Sequence, residues 1–196
     1  MAGRAASEDR THEPNNPWDS RPPPGAGDPS EDNTFRAVGQ ALSRWEKLEN
    51  QLVAIFAATI RGQPAGAARR AYGIVQGSKT RTDMIRAAAT ARFEGRRTHA
   101  LVMPDLKALL DLVEKYAARR NEIAHGVVYP YNGYRRDAVG FCLFPSYYAT
   151  KKRGLDIEPS YIYSSIEINY FSERFLELTQ KASSVFVSLL QLARGT

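Results

Sequence analysis

The segment RNEIAHG, from Arg120 to Gly126, places three functional side-chain types within a few residues of one another. The guanidinium of Arg120 can bind two oxygens of a phosphate at once, and aimed at developing charge it stabilises a transition state. His125 supplies an imidazole, a group whose ordinary pKa of about 6.5 suits general acid–base catalysis. The carboxamide of Asn121 can orient a substrate by hydrogen bonding. The segment is therefore a candidate site for chemistry on a phosphate.

The spacing of these residues has low specificity by itself. In a chain with 20 arginines and three histidines, an Arg-x4-His pair is expected about 0.3 times by chance. A cationic histidine in the last turn of a helix also faces the negative end of the helix dipole favourably. Asn121 and Glu122 could be plain surface residues. A purely structural helix end is therefore an alternative.

Apolar residues at three- and four-residue steps predict that a long amphipathic helix leads into the segment. They are Leu106, Leu109, Leu110, Val113 and Ala117. This helix is expected to begin at Pro104 at the latest and to end at Gly126, placed as a C′ residue. Arg120 continues the apolar stripe, whereas Asn121 and His125, four residues apart, share an adjoining face.

The position of Arg120 on that stripe means that its side chain should be partly covered, by the fold or by a partner. A covered guanidinium needs an anion, because an unpaired buried charge is costly. A phosphate is one candidate for this anion. Glu49, on the inner side of the first predicted helix, is another and would form a purely structural salt bridge.

The remaining apolar pattern predicts a mainly all-α fold. Four further helices are expected at about 34–61, 66–76, 80–94 and 170–193. Residues 127–168 hold seven of the ten tyrosines and read as β-branched and aromatic segments punctuated by proline and glycine, which predicts a small antiparallel sheet or long hairpin. The expected architecture is a helical bundle with a small antiparallel β insert, at about 127–168, between its last two long helices.

Composition divides the chain into a tail and one domain. Residues 1–33 hold six of the eleven prolines and almost no large apolar residues, which predicts a disordered N-terminal tail. This tail has three arginines against seven acidic residues, a net charge of −4, which leaves 24 basic and 14 acidic residues, a net of +10, on residues 34–196. Such an excess favours acidic partners, nucleic acid first, although it could serve solubility alone.

Several other kinds of site and location are disfavoured. GIVQGSKT, at residues 73–80, resembles a phosphate-binding P-loop, but it has three residues between its glycines instead of four, and Ser78 precedes the lysine. The histidines and the single cysteine, Cys142, lack the spacing of a zinc site, so no metal or cofactor is expected.

No apolar run approaches the ~20 residues needed to cross a membrane. One cysteine excludes a disulfide within the chain and favours the cytoplasm.

Two segments have both a functional and a structural interpretation. Residues 61–97 hold nine basic residues against two acidic ones, and they could form a basic face for phosphates or an ordinary solvated face. The tyrosine-rich insert could stack single-stranded bases, or its aromatic residues could serve the packing of the strands.

In this context RNEIAHG resembles the motif of the HEPN superfamily, in which an arginine, usually followed by a polar residue, precedes a histidine by four to six residues. The match in residues covers 119–126, and the helical layout of 34–196 agrees with it. The resemblance implies a helical bundle that dimerises and brings two motifs together. It also implies a metal-independent endoribonuclease, in which the 2′-hydroxyl attacks the neighbouring phosphate and leaves a cyclic phosphate.

The same resemblance implies roles and partners. Arg120 would stabilise the phosphate, His125 would transfer protons, and Asn121 would orient or hydrogen-bond the substrate. Members of the family serve in toxin–antitoxin and antiviral defence systems, so RNA, a second copy of the chain and an antitoxin or defence-system protein are the implied partners. Other members have lost activity. A catalytically silent helical module that binds RNA or a protein is therefore the alternative function.

Overall fold

The computed structural model describes residues 16–60, 65–95, 99–132, 140–146 and 159–194. Five helices and two strands occur in these ranges. They are α1 (Glu31–Thr59), α2 (Ala65–Ile74), α3 (Ser78–Phe93), α4 (His99–His125), β1 (Gly126–Tyr131), β2 (Gly140–Pro145) and α5 (Ser165–Arg194). The expectation of a mainly helical fold with a small antiparallel sheet is confirmed. No helix of the described ranges is both long and apolar enough to span a membrane.

The two longest helices, α1 and α5, pack against each other and form the centre of the bundle. Trp45 of α1 lies edge-on to Phe175 of α5, with ring centroids 5.0 Å apart. Phe175 also meets Tyr116 of α4 edge-on at 6.3 Å. All three side chains are buried. They therefore join α1, α4 and α5 in one core and hold the helix that carries the candidate site.

The strand β1 begins at the residue that follows the last residue of α4, with no loop between them. It pairs antiparallel with β2, so that Gly126 lies opposite Pro145 and Tyr131 lies opposite Gly140. Gly126 does not adopt the positive φ of a typical C′ glycine. Glycine is required here because the Leu143 side chain lies close to the backbone, and a Cβ at this position would lie 2.5 Å from it.

The helix α5 begins five residues earlier than the sequence analysis placed it. Its start is a capping box formed by Ser164 and Glu167. The Ser164 hydroxyl accepts a hydrogen bond from the backbone N–H of Ile166 at 3.2 Å, and the Glu167 carboxylate accepts one from the Ser164 backbone N–H at 2.8 Å. The β insert predicted to reach residue 168 therefore ends before Ser165, and its residues 133–139 and 147–158 lie outside the described ranges.

Residues 16–30, here called the N-terminal strap, pack on the domain. Trp18 lies edge-on to Tyr116 at 6.5 Å, and the ammonium of Lys115 stands 4.0 Å from the Trp18 ring centroid. Ser20 hydrogen-bonds the hydroxyl of Tyr163 at 2.9 Å. The expectation of a disordered tail over 1–33 is thus corrected for residues 16–33, while residues 1–15 lie outside the described ranges.

The C-terminal end of the strap is held by the buried carboxylate of Asp28. It accepts hydrogen bonds from the Thr34 hydroxyl at 2.6 Å and from the backbone N–H and hydroxyl of Ser165 at 2.8 and 2.6 Å. The backbone of Asp28 also pairs with Phe141 in β2. One residue therefore joins the strap to α1, to the sheet and to the first residue of α5.

Candidate functional site

The last two turns of α4 carry the three residues that the sequence singled out. Asn121 and His125 are exposed, whereas the Arg120 side chain is 31% exposed, which agrees with the partial cover expected of it. Arg120 Nη1 donates a hydrogen bond to Asn121 Oδ1 at 3.1 Å. Arg120 Nη2 lies 3.6 Å from the Glu46 carboxylate of α1. The guanidinium is therefore oriented by one neutral and one acidic neighbour.

The alternative salt bridge between Arg120 and Glu49 is wrong. The Glu49 carboxylate accepts hydrogen bonds from Tyr72 at 2.8 Å, from Arg81 at 3.1 Å and from Trp45 at 3.3 Å. These contacts show that Glu49 faces α2 and α3. The carboxylate that faces α4 is Glu46, one helical turn earlier.

A cleft of about 530 Å³ opens beside the end of α4. Its lining comes from α4, from the end of β2 and from the segment before α5. The lining residues are Asn121, Glu122, His125, Pro145, Ser146, Ser160 and Tyr161. The structure thus brings Asn121 and His125 to one cleft. Arg120 is adjacent to it through its hydrogen bond to Asn121 and is not part of the described lining.

Glu122, which the sequence analysis regarded as possible plain surface, is at the centre of a hydrogen-bond network. One carboxylate oxygen lies 2.8 Å from Arg119 Nη2, and the other accepts a hydrogen bond from the Tyr163 hydroxyl at 2.7 Å. Because that hydroxyl gives its hydrogen to Glu122, Ser20 is the donor in the 2.9 Å contact between Ser20 and Tyr163. The network therefore runs from the N-terminal strap to the cleft.

Burial sets the protonation of this network. It raises the pKa of the Glu122 carboxyl, and the hydrogen bond from Tyr163 and the charge of Arg119 offset that effect only in part. Burial, followed by the charge of Glu122, also raises the pKa of Tyr163 above its ordinary value. Tyr163 consequently stays protonated at neutral pH and remains a donor to Glu122.

Tyr161 holds the end of α4 from a second side. Its hydroxyl donates to the backbone carbonyl of Glu122 at 3.0 Å. This hydrogen bond from outside the helix ties its last turn, where carbonyls begin to run out of intrahelical donors, to the segment before α5. Its ring stacks on Tyr163 with centroids 5.0 Å apart. Burial raises the pKa of Tyr161 to about 12, which keeps this hydroxyl protonated as well.

One signal in the sequence could have indicated this tyrosine pair. Residues two apart in an extended segment point to the same side, so the spacing of Tyr161 and Tyr163 predicts that they share a face. Nothing local identifies Glu122 as their common partner, because it precedes them by 39 and 41 residues.

In the basic segment at 61–97, at least three of the six basic side chains that the structure describes pair with acidic residues. Arg81 pairs with Glu49, Lys79 pairs with Asp83, and Arg86 contacts the acidic residues of α4. These three cations are therefore neutralised within the fold. The GIVQGSKT segment joins α2 directly to α3 without a preceding strand, so it does not form a P-loop.

Neither a group of metal-binding side chains among the described residues nor a similarity to known proteins indicates what the site does. Within the described ranges, no three His, Cys, Asp or Glu side chains are grouped so that they could hold a metal ion. No protein-family model, curated protein or solved structure matches the chain significantly. The function is therefore argued from the geometry of the site.

Proposed function

We propose that the chain is a metal-independent endoribonuclease of the HEPN type, whose site is formed by Arg120, Asn121 and His125. The observation that carries the proposal is their arrangement at the end of α4. His125 and Asn121 open into one cleft, and the Arg120 guanidinium is held beside it by Asn121 at 3.1 Å. These are the groups that RNA cleavage requires, because RNA brings its own nucleophile in the 2′-hydroxyl.

In this mechanism the 2′-oxygen bonds to the neighbouring phosphorus as the bond from phosphorus to the 5′-oxygen breaks. The 2′-hydroxyl proton passes to a general base, and the leaving 5′-oxygen takes up a proton from a general acid. We assign these transfers to His125, whose imidazole opens into the cleft. The Arg120 guanidinium binds the phosphate oxygens as negative charge develops on them. The products are a 2′,3′-cyclic phosphate and a 5′-hydroxyl.

The nearby carboxylates are compatible with a bound phosphate. Glu46 is largely exposed and 3.6 Å from Arg120, and an ion pair of this kind is worth at most about 1 kcal/mol. A phosphate can therefore replace Glu46 as the partner of the guanidinium. Both Glu122 oxygens are already engaged by Arg119 and Tyr163.

The second candidate is a catalytically silent helical module that binds RNA or a protein. Arg120 favours it in two respects, because it is paired with Glu46 and does not line the cleft. The single cysteine extends the proposal to the cytoplasm. The family resemblance extends it to a toxin or defence role with an antitoxin or other partner protein.

The test of the proposed activity is incubation of RNA with the purified chain in EDTA, beside the His125→Ala variant. The wild type should produce fragments that end in a 2′,3′-cyclic phosphate, and the variant should cleave at least about 100-fold more slowly, since general acid–base catalysis contributes that much or more. The variant also controls for contaminating ribonuclease. Equal cleavage by both proteins would rule out His125, and no cleavage by either would favour the silent module.

The site is proposed to be completed by a second copy of the chain. A two-fold interface pairs the same surface with itself, so a dimer would bring together two Arg120 and two His125 side chains. Their mutual repulsion should be relieved by a phosphate, and a ligand that binds the dimer alone stabilises it by mass action. Analytical ultracentrifugation with and without a short non-cleavable RNA should show tighter dimerisation with RNA. A chain that stays monomeric at tens of micromolar in both conditions would contradict the shared site.

A further inference from the structure

We infer that Tyr161 and Tyr163, acting through Glu122, are positioning residues that fix the last turn of α4 and so direct Asn121 and His125 into the cleft. Two measurements test the inference. One of them, the rate of RNA cleavage, rests on the proposed function. The other, the environment of the His125 and Asn121 side chains, is independent of any activity.

The last turn of α4 needs such support because it has little of its own. Its final carbonyls lack intrahelical donors, and the chain turns directly into β1 at Gly126. The Tyr161 hydroxyl donates to the carbonyl of Glu122, in the last turn of the helix. His125 follows three residues later, so this bond holds the turn on which its side chain stands.

The side chain of Glu122 gives the turn a second fixed point. Tyr163 donates to its carboxylate at 2.7 Å and Arg119 lies 2.8 Å from it. Glu122 is therefore held at its backbone and at the tip of its side chain, which restricts both translation and rotation of the turn. Asn121 is its neighbour in sequence, and His125 lies about one turn away on the same side of the helix.

The tyrosines are themselves rigidly placed. The backbone of Tyr163 pairs with Leu143 through hydrogen bonds of 2.7 and 3.0 Å, and its ring contacts both Tyr161 and Phe171. Both tyrosines are buried, and their hydroxyls are used in contacts with Glu122. Their hydroxyls are therefore suited to orient the catalytic side chains, although Tyr161 also lines the cleft.

A matched variant elsewhere in the fold separates a positioning role of the two tyrosines from a general contribution to stability. Tyr72 also donates its hydroxyl to a buried carboxylate, that of Glu49, at 2.8 Å. Its other contacts are with Phe56 and Arg81, on the side of α1 that faces α2 and α3. Tyr72→Phe therefore removes the same kind of hydrogen bond as Tyr163→Phe without affecting the end of α4.

The experiment compares Tyr161→Phe, Tyr163→Phe and Tyr72→Phe with the wild type in the full chain. The first readout is the NMR chemical shifts of the His125 imidazole and the Asn121 carboxamide. The second is kcat and KM for RNA cleavage. In Tyr161→Phe and Tyr163→Phe the shifts should move and kcat should fall by about 10- to 100-fold with little change in KM, since small misplacements of catalytic groups have effects of that size. Tyr72→Phe should leave the shifts and kcat unchanged.

Unchanged shifts and an unchanged kcat in folded Tyr161→Phe and Tyr163→Phe proteins would overturn the inference, as would equal effects in Tyr72→Phe. Should one of the two variants not fold, the other decides the question, because each removes a different bond to Glu122. If the wild type does not cleave RNA, the proposed function fails, and the chemical shifts still decide whether the tyrosines position His125 and Asn121.

Discussion

Arg120→Ala is expected to lower kcat/KM for RNA cleavage by at least about 100-fold, the usual effect of losing one group that stabilises developing charge. Arg120→Lys is expected not to restore the activity. Lysine keeps the positive charge but loses the planar fork that binds two phosphate oxygens. Its ammonium also cannot bind a phosphate and at the same time keep the hydrogen bond that the guanidinium makes to Asn121. The reason is therefore geometric as much as electrostatic.

The stability of the Arg120 variants should change little, because the contact with Glu46 is long and largely exposed. Urea unfolding beside the cleavage assay separates the two effects. Arg174→Ala is the matched control, since Arg174 is similarly exposed and also pairs with a glutamate, Glu177, at a distance of 2.9 Å. Near wild-type cleavage by Arg120→Lys would leave a general electrostatic role, and full cleavage by Arg120→Ala would remove Arg120 from the mechanism.

The helices and the cover of Arg120 could be predicted because both depend on local periodicity. A stripe of apolar residues defines which face of a helix is buried, and Arg120 continues that stripe in α4. The same periodicity could not identify its acidic partner. Glu46 and Glu49 are one turn apart on α1, and the way in which α1 meets its neighbours decides which of them faces α4 and which faces α2 and α3.

The support of the site could not be predicted because it depends on contacts between distant segments. Tyr161 and Tyr163 reach Glu122 only when the segment before α5 pairs with β2, as the bridge between Leu143 and Tyr163 shows. Such a register is a property of the folded sheet. Glu122 alone, between Asn121 and Ile123 near the end of a helix, has the sequence context of a surface residue.

The N-terminal strap shows that the average composition of a long segment can hide a few residues that dock on the domain. Residues 1–33 are rich in proline and acidic residues, and on average they resemble a disordered segment. Two residues change this result locally. Trp18 supplies aromatic contact area to Tyr116, and Asp28 satisfies three donors of α1 and α5 from a buried position.

Removal of the strap should therefore destabilise the domain. A chain that starts at Ser30 keeps the N-cap of α1 but loses Trp18, Ser20 and Asp28. The free energy of unfolding is expected to fall by at least about 3 kcal/mol, because hydrogen bonds to a buried charged group contribute about 1.5–3 kcal/mol each and the aromatic contact adds to them. A chain that starts at Asn16 should keep the stability of the full chain to within about 0.5 kcal/mol, because the sequence of residues 1–15 holds one large apolar residue, Met1.

Urea unfolding of the three chains measures these differences, and Asp28→Ala in the full chain isolates the share of the buried carboxylate. The chain that starts at Ser30 should also cleave RNA more slowly than its folded fraction explains, because Ser20 is the donor to Tyr163, and Tyr163 holds Glu122. Equal unfolding midpoints for the chains that start at Asn16 and Ser30 would show that the strap does not dock. A loss of stability with unchanged cleavage per folded molecule would instead confine the strap to the core and separate it from the end of α4.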